Sequence, residues 1–537
     1  MADGQPAGAR ALNMRQLAQA AGIVMLAFVA SGVLGIVRQA AIGAAFGADV
    51  ELDAFVAAQR VPETLFVLVA GGALGSAFIP VLASFLALGD AAGARRLTDA
   101  VITLLAAVSA VLALGAGVFA APIVRQILLR GADPATQTLA IELMRIMLLT
   151  VIIFAISGLF MGLLNAHQHF LSPALAPSAY NLGLIFGALV LARGGRVHGL
   201  AWGAVIGAAL HLLVQVPALV RIGFRYRPLP SWRVPGVDEV LRLMGPRVLG
   251  LGVVQVSFWV NTALASGMLP GSVAALNNAF ILMFTVIGVL GQSVGTAVFP
   301  TLSTLSAQKD TGELRRTLAR ALGSVLFLSI PAGIGLAVVS EPLVALIYQR
   351  GAWTATDTAG TAWALAFFSI GLAGHTVLEI LVRAFYALHD TWTPVKVGTL
   401  AMLLNIALAL VLIRVFGYPT STDFARGPIG GLALAMSIAT ALESTTLWII
   451  LRRRVGGLDE RRVLNGAART VLASGAMVLV AWAFLQVGAG LHVVLQVVGA
   501  VGLGAVAFWS AALLLGIDEA EAVPRLALAR FRRRESP

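Results

Sequence analysis

The residues of this sequence that could do chemistry are charged side chains inside long apolar stretches. They are Arg38, Arg60, Glu63, Glu142, Arg145, Glu379, Arg383 and Glu443. Arginine suits phosphate binding, because its planar guanidinium donates two parallel hydrogen bonds and keeps its charge. A carboxyl group with no basic residue within a helical turn, such as Glu443, could carry a proton or remain a neutral buried acid. We therefore expect anion binding and ion or proton transfer rather than catalysis of bond breaking.

Opposite charges at helical spacing account for most of this set. At a spacing of three or four residues, both side chains lie on one face of a helix. The pairs are Arg60 with Glu63, Glu142 with Arg145, and Glu379 with Arg383. For the last two pairs the simplest expectation is mutual neutralisation that fastens neighbouring helices. Glu379 is kept, with Glu443, as a possible ion or proton site.

Arg38 has no acidic residue three or four positions away in its own segment, so its partner must come from elsewhere. Asp53 and Glu63 are the nearest protein candidates, and a substrate phosphate is the functional one. We expect Arg38 and Arg60 to contact substrate, with pairing between helices as the alternative. Asp53 would orient an arginine or take part in a gate. Asp390, which precedes a predicted helix, is expected to cap that helix instead.

Other reactive groups are sparse. The chain has no cysteine, which removes disulfides, thiolate metal sites and cysteine nucleophiles. Its histidines are dispersed, and no Walker sequence for nucleotide binding is present. We expect no enzymatic activity, no metal and no cofactor. Energy for any transport would come from the membrane potential or an ion gradient.

The composition is that of an integral membrane protein. Of 537 residues, 12% are charged and 59% hydrophobic, and the mean hydropathy is +0.92. A soluble domain typically has about 25% charged residues. The net charge of +12 could suggest nucleic acid, but the basic residues lie in short connectors between apolar runs. This pattern is typical of the positive-inside bias, so no nucleic-acid partner is expected.

The apolar runs predict an all-α membrane fold with about fourteen spans, since one crossing needs about 20 apolar residues. They lie near 17–46, 54–86, 93–121, 136–165, 170–192, 197–221, 237–267, 272–305, 312–340, 357–388, 391–416, 427–453, 464–487 and 490–516. A cytoplasmic N-terminus places most lysines and arginines inside, so both termini are expected in the cytoplasm. The first run is too long for a cleavable signal peptide and is expected to remain as a span.

The longest polar connector, RYRPLPSWRVPGVDE, divides the chain. The predicted divisions are a cytoplasmic N-terminus at 1–16, a first lobe at 17–221, a linker at 222–236, a second lobe at 237–453, a helix pair at 464–516 and a cytoplasmic tail at 517–537.

Several segments resemble the MurJ (MviN) family of lipid II flippases, within the multidrug/oligosaccharidyl-lipid/polysaccharide exporter (MOP) superfamily. The likeness runs from about residue 15 to residue 455 and rests on the order and spacing of the segments. They are SGVLGIVRQAAIGAAFGA (31–48), LDAFVAAQRVPETL (52–65), GSAFIPVLASF (75–85), GLLNAHQHFLSPALAPSAYNLGLI (162–185), GLAWGAVIGAALHLLVQVPAL (199–219), PGSVAALNNA (270–279), FYALHDTWTPVKV (385–397) and GLALAMS (431–437).

The resemblance implies two six-helix lobes around a central cationic cavity, and two C-terminal helices that form a groove for the lipid tail. It implies alternating access that moves an undecaprenyl-pyrophosphate-linked peptidoglycan precursor across the membrane. By position, Arg38 matches a functional arginine of the family and Asp53 the acid of its DAF motif. Arg60 matches a basic residue that is usually lysine.

The sequence also departs from the family pattern. Gly32, Phe66 and Ile281 stand where relatives commonly have arginine. Asn261 stands where relatives often have an aspartate associated with sodium. Polar residues that could supply part of the missing polarity are Arg60, Asn261, Asn277 and Asn278, and Glu63 is a further polar candidate. Fewer arginines should weaken capture of an anionic head group, because each charge-assisted hydrogen bond contributes about 1.5–3 kcal/mol.

We therefore predict a lipid II flippase of the bacterial inner membrane. The expected partners are the lipid-linked precursor, membrane lipids and cell-wall synthesis proteins. One alternative is an exporter of another lipid-linked saccharide or of a cationic drug on the same fold. Another is a membrane scaffold for cell-wall synthesis that transports nothing, which would tolerate loss of cavity charge.

Overall fold

The computed structural model describes residues 14–71, 77–193 and 196–521. Residues 1–13 of the predicted N-terminal segment and residues 522–537 of the predicted tail lie outside these ranges. Within the described ranges the regular secondary structure is helical, with no β-strand, which confirms the all-α prediction.

The chain divides into two compact units. The first contains the residues up to Val273 together with Arg350–Trp353, and the second contains Ala274–Gln349 and the residues from Thr354 onward. This division comes one helix after the predicted linker at 222–236, and the helix that follows the linker belongs to the first unit. The predicted lobe boundaries stay a prediction.

The first unit is built from helices that follow one another with short connections. They are α1 (Met14–Phe46), α2 (Val50–Phe66), α3 (Ile79–Ala87), α4 (Ala91–Val118), α5 (Ala120–Pro122), α6 (Pro134–Met147), α7 (Leu149–Ala166), α8 (Leu171–Phe186), α9 (His198–Leu213), α10 (Val216–Arg221) and α11 (Val237–Ala265). Widened π-helical turns at Val67–Gly71, Ile123–Leu128 and Gly187–Leu191 extend or follow three of these helices.

The second unit begins at Ala274, within the first turn of α12. Its helices are α12 (Ser272–Ile287), α13 (Ser293–Ala307), α14 (Thr311–Val338), α15 (Ser340–Tyr348), α16 (Ala355–Ile370), α17 (Leu372–Ala387), α18 (Trp392–Val415), α19 (Ile429–Val455), α20 (Glu460–Val487) and α21 (Val493–Leu514). A π-helical turn at Gly288–Gln292 joins α12 to α13.

Among the described residues, ten helices are long and apolar enough to cross a membrane, or up to twelve if each of two bent pairs is one span. The bends are 48° within α11, between Gly245 and Gly250, and 47° between α16 and α17. In order, these twelve correspond to the predicted runs from 93–121 onward. The first two predicted runs overlap α1 and the pair α2 and α3, and residues 72–76 of the second lie outside the described ranges. The count of fourteen stays a prediction.

Each unit contains one long helix that begins after a positive-φ residue and a capping aspartate. Before α4, Gly89 has a φ of +74° and Asp90 accepts a hydrogen bond of 2.8 Å from the Gly93 amide. Before α14, Lys309 has a φ of +57° and Asp310 accepts one of 3.0 Å from the Glu313 amide. An aspartate at this place satisfies an amide that the helix itself leaves without a partner.

Glycines allow α8 and α9 to approach each other closely. A Cβ added to Gly203 on α9 would lie 2.9 Å from the Gly183 carbonyl oxygen on α8, and one added to Gly187 would lie 2.9 Å from the Gly199 carbonyl oxygen. Small residues at such crossings let membrane helices pack backbone to backbone. This crossing fixes the position of Tyr180 and Asn181, which lie on α8 next to it.

Candidate functional site

The candidate site lies within the first unit, where Arg38 is held by an amide on another helix. Arg38 Nη1 on α1 donates a hydrogen bond of 2.9 Å to Asn181 Oδ1 on α8. Asn181 Nδ2 in turn donates to the Ser31 carbonyl on α1, at 3.1 Å. Asn181 is uncharged, so these contacts orient the guanidinium without neutralising its charge.

Arg60 is enclosed by side chains of α2 and α11. Its side chain is only 11% exposed, and its Nη1 lies 3.5 Å from Glu63 Oε2, which belongs to a side chain that is 44% exposed. Arg60 Nε donates a hydrogen bond of 3.2 Å to Thr262 Oγ1. The guanidinium carbon lies 5.2 Å from the centroid of the Phe258 ring, within the range of a cation–π contact. The Arg60–Glu63 pair expected from helical spacing is present, and α11 supplies the contacts with Thr262 and Phe258.

Thr64 fastens α2 to α11 one turn after Arg60. Thr64 Oγ1 lies 2.7 Å from the Arg60 carbonyl oxygen and 3.2 Å from Gln255 Oε1. It also accepts a hydrogen bond of 2.8 Å from Trp259 Nε1. Buried polar groups are stable only with such partners. The cluster therefore fixes the register of the two helices that enclose Arg60.

Asp53 is 7% exposed and binds the main chain of the loop between α11 and α12. Its Oδ2 accepts a hydrogen bond of 2.8 Å from the Gly271 amide. Gly271 has a φ of +86°, and a Cβ there would collide with the Ala48 carbonyl oxygen. The structure thus shows Asp53 anchoring this loop. The expected role in orienting an arginine or in gating stays a prediction.

Phe66, which the sequence resemblance singled out as a departure from the family pattern, belongs to an aromatic cluster. Its ring centroid lies 5.0 Å from that of Phe154 on α7. Phe154 contacts Tyr180 on α8 edge to face at 5.1 Å, and His211 on α9 in the same manner at 5.2 Å. This position therefore presents an apolar ring that packs against α7.

A buried hydrogen-bond network supports the cluster from behind. His211 Nδ1 lies 2.6 Å from Ser157 Oγ, and Gln215 Nε2 donates to Ser157 Oγ at 2.7 Å. Gln215 Nε2 also lies 2.9 Å from the His211 carbonyl oxygen. The three side chains are at most 8% exposed. They hold the His211 ring, and through it Phe154, in one orientation.

The predicted ion or proton residues lie in the second unit. Glu379 and Arg383 form an ion pair on α17, as their spacing predicted. Glu443 on α19 faces α18, where a Cβ added to Gly398 would lie 3.1 Å from its Oε1. Across the described ranges, Glu443 has no hydrogen bond or ion pair. Whether it exchanges a proton stays a prediction.

The predicted polar residues are divided between the units. Asn261 lies on α11 next to Thr262, is 8% exposed, and its Oδ1 accepts no hydrogen bond from the described residues. Asn277 and Asn278 lie on α12 in the second unit. Within the part of the chain that the structure describes, no group of three or more metal-binding side chains of His, Cys, Asp or Glu gathers.

One predicted pair is wrong. Glu142 Oε2 lies 2.9 Å from His198 Nε2 instead of pairing with Arg145. Arg145 Nε donates to the Gly117 carbonyl at 3.3 Å. The spacing of Glu142 and Arg145 permits a contact, but α9 brings a histidine closer to the acid than the arginine of the same helix.

Sequence reasoning missed Asn181, Thr262 and the aromatic cluster. Asn181 is 143 residues from Arg38, and Thr262 is 202 residues from Arg60. Neither residue type at its position signals anion binding. The one available signal was the segment resemblance itself, which includes Asn181 in SPALAPSAYNLGLI.

Comparison with known proteins supports the sequence resemblance. A family model described as lipid II flippase MurJ matches residues 42–499. The lipid II flippase MurJ of Burkholderia cenocepacia is 32% identical over 448 residues, which cover 82% of this chain and 84% of that protein. The probable lipid II flippase MurJ of Bdellovibrio bacteriovorus is 29% identical, with 96% of this chain and 97% of that protein covered.

Solved structures agree at the level of fold. A structure described as lipid II flippase MurJ in an inward closed conformation has a TM-score of 0.76 at 24% identity, covering 91% of this chain and 98% of that one. An inward-facing multidrug resistance MATE family transporter of the MOP superfamily has a TM-score of 0.64 at 15% identity, covering 80% of this chain and 96% of that one. With a family model that matches most of its length, this multi-pass membrane protein belongs to the MurJ family of lipid II flippases.

Proposed function

We propose that this protein moves lipid II, the lipid-linked peptidoglycan precursor, across the bacterial inner membrane by alternating access. Family membership supports the substrate class. The observation that carries the proposal is the setting of Arg60, a guanidinium that is 11% exposed on α2, within the second predicted span, and is held in place by Thr262, Phe258 and Glu63. A charge kept at such a site at a cost of about 2.5–3.5 kcal/mol is expected to have a function.

The pyrophosphate of the precursor supplies the complementary charge. Arg38 and Arg60 are oriented by the uncharged groups of Asn181 and Thr262. Such preordering lowers the entropy lost when a ligand binds. Each charge-assisted hydrogen bond to a phosphate oxygen contributes about 1.5–3 kcal/mol. Two ordered arginines can therefore hold the head group even though other family arginines are missing.

Glu63 gives this site a means of release. Its carboxylate lies 3.5 Å from Arg60 Nη1 and its side chain is 44% exposed. A bound phosphate and Glu63 compete for the same guanidinium. We infer that the phosphate displaces Glu63 on loading, and that Glu63 returns when the precursor leaves.

The proposal includes coupling to the membrane potential or to an ion gradient, without a bound cofactor. An inside-negative potential favours outward movement of an anionic head group by about 2.3 kcal/mol per charge per 100 mV. Glu443 is the proposed proton-carrying group, with the Glu379–Arg383 pair as a second candidate. Transport of lipid II by Glu443→Gln in vesicles with an imposed pH gradient checks this. If the variant responds to the gradient as the parent does, Glu443 has no part in coupling.

The remaining parts of the proposal concern surroundings. We propose that both termini lie in the cytoplasm and that the surface of the protein contacts membrane lipids. We also propose that cell-wall synthesis proteins are its partners. The positive-inside distribution of basic residues supports the orientation.

Complementation tests the function. The parent, Arg38→Ala and Arg60→Ala chains are expressed in a bacterium depleted of its own lipid II flippase, and lipid II exposed outside is measured. Arg316→Ala is the control, since that arginine is 70% exposed and paired with Glu313. We expect rescue by the parent and by Arg316→Ala, and strong loss in the other two. Failure of a folded, membrane-inserted parent favours another lipid-linked substrate. Failure of such a parent is also the outcome expected of a scaffold that transports nothing, whereas rescue by both Arg38→Ala and Arg60→Ala would show that neither arginine is needed for transport.

A further inference from the structure

Three aromatic side chains form a continuous surface in the first unit. Phe66, Phe154 and Tyr180, which we call the aromatic strip, contact one another in sequence at centroid distances of 5.0 and 5.1 Å. Each of the three residues remains partly exposed. They come from α2, α7 and α8, so the strip is made by tertiary packing and not by one helix.

The strip adjoins the charged groups of the proposed phosphate site. Phe66 follows Glu63 by three residues on α2, which places both on one side of that helix. Tyr180 precedes Asn181, the partner of Arg38. The Tyr180 hydroxyl lies within electrostatic range of both Arg38 and Glu63. The proposed phosphate contact of Arg38 and the strip are therefore linked through α8, which carries both Asn181 and Tyr180.

The strip is also rigid. His211 packs edge to face on Phe154 and is held by the hydrogen bonds to Ser157 and Gln215. A surface whose rings are fixed beforehand binds with a smaller loss of side-chain entropy. The polar side chains that hold His211 are at most 8% exposed, and hydrogen-bonded networks in such buried surroundings are rigid.

We propose that the aromatic strip is the surface on which the sugar ring next to the pyrophosphate stacks, with Phe66 as a specificity-determining residue. This rests on the proposed function. One face of a pyranose ring presents C–H groups, which fit the electron-rich face of an aromatic ring, and aromatic rings bury large apolar areas. Phe66 is the member of the strip on the same helix as Arg60 and Glu63, so its ring is the one that the proposed sugar contact adds to the phosphate site.

The test compares two ligands that differ in the sugar. The full-length protein in lipid nanodiscs is titrated with lipid II and with undecaprenyl pyrophosphate, which has the same lipid and pyrophosphate but no saccharide. Phe66→Leu keeps the apolar volume and removes the ring. We expect it to weaken lipid II binding about threefold to tenfold, the range of one aromatic contact, and to leave undecaprenyl pyrophosphate binding unchanged.

Further variants separate stacking from general damage. Phe66→Tyr retains a ring and is expected to bind lipid II like the parent. Phe186→Ala removes an exposed phenylalanine of α8 outside the strip and is the matched control. Because stacking contacts are insensitive to salt, the lipid II preference over undecaprenyl pyrophosphate should persist at high ionic strength.

The outcomes distinguish this inference from the function on which it rests. Equal weakening of both ligands by Phe66→Leu, or no weakening of either, would overturn the stacking role while lipid II binding by the parent stands. A folded parent that binds neither ligand would overturn the proposed function itself. A parent that binds both ligands with the same affinity would overturn the stacking role alone.

Discussion

Asn181 binds Arg38 and the main chain of the arginine's own helix at the same time. Its Oδ1 accepts from Arg38 Nη1 at 2.9 Å, and its Nδ2 donates to the Ser31 carbonyl at 3.1 Å. The amide is thereby tied at both ends and cannot rotate to follow the arginine. Asn181 thus orients the Nη1 group of Arg38 without altering its charge.

Asn181→Ala should weaken lipid II binding about threefold to tenfold, because it removes one hydrogen bond that orients a charged group. If Asn181 acts through Arg38, the same change should have little effect in a protein that already carries Arg38→Ala. Titration of the two single variants and the double variant measures this coupling. Additive losses in the double variant would show that Asn181 acts independently of Arg38.

Glu63→Gln should strengthen binding of the anionic head group and slow its release. The carboxylate 3.5 Å from Arg60 competes with phosphate, and the neutral amide competes much less. We expect affinity for lipid II to rise about threefold and the rate of transport in vesicles to fall. Glu313→Gln, which changes an acid paired with exposed arginines of α14, is the control. A weaker affinity in Glu63→Gln would indicate that Glu63 organises Arg60 instead of competing for it.

Gly203→Ala should destabilise the protein by about 1–3 kcal/mol, since the added methyl group overpacks the crossing of α8 and α9. The new Cβ would lie 2.9 Å from the Gly183 carbonyl oxygen, and main chain cannot move aside as a flexible side chain can. Gly115→Ala on α4 is the matched control, because a Cβ there meets no atom within 4 Å. Unfolding midpoints in detergent measure both. A Gly203→Ala protein as stable as the Gly115→Ala protein would mean that the helices separate at no cost.

The turn between α17 and α18 should lose stability in acid. Asp390 Oδ1 accepts a hydrogen bond of 2.9 Å from the Thr393 amide, which confirms the predicted capping role. Burial raises the pKa of Asp390, but hydrogen bonds from Thr393 and Arg454 outweigh it and lower the pKa from 3.8 to about 2. A carboxyl whose pKa is lowered by folding stabilises the folded state above its ordinary pKa.

That contribution is complete above about pH 4 and disappears as the pH falls towards about 2. The difference in unfolding midpoint between the parent and Asp390→Asn should therefore be constant from pH 5 to 8 and shrink below about pH 4. Thr393→Val, which removes one of the hydrogen bonds, should reduce the difference in the same interval. A difference that is as large at pH 2 as at pH 7 would assign the stabilisation to packing of the side chain and not to its charge.

The sequence predicted what depends on local periodicity. Long apolar runs located the helices, and the helical repeat identified Arg60–Glu63 and Glu379–Arg383 as pairs. It failed where a partner comes from a distant helix. Glu142 pairs with His198, 56 residues away, and Arg38 is oriented by Asn181, 143 residues away. Phe66 illustrates the same limit, because its ring contacts were created by α7 and α8 and no spacing within α2 reveals them.

The contact of Asp53 with the Gly271 amide has a consequence for how this protein can change during evolution. The donor is a main-chain amide, which every residue except proline provides. The hydrogen bond therefore does not depend on which side chain stands at position 271, and a change there calls for no matching change at position 53. Covariation between related sequences would not reveal the pair. Yet proline would delete the donor, and any Cβ would meet the Ala48 carbonyl oxygen at a φ of +86°. Glycine alone satisfies both conditions at this position.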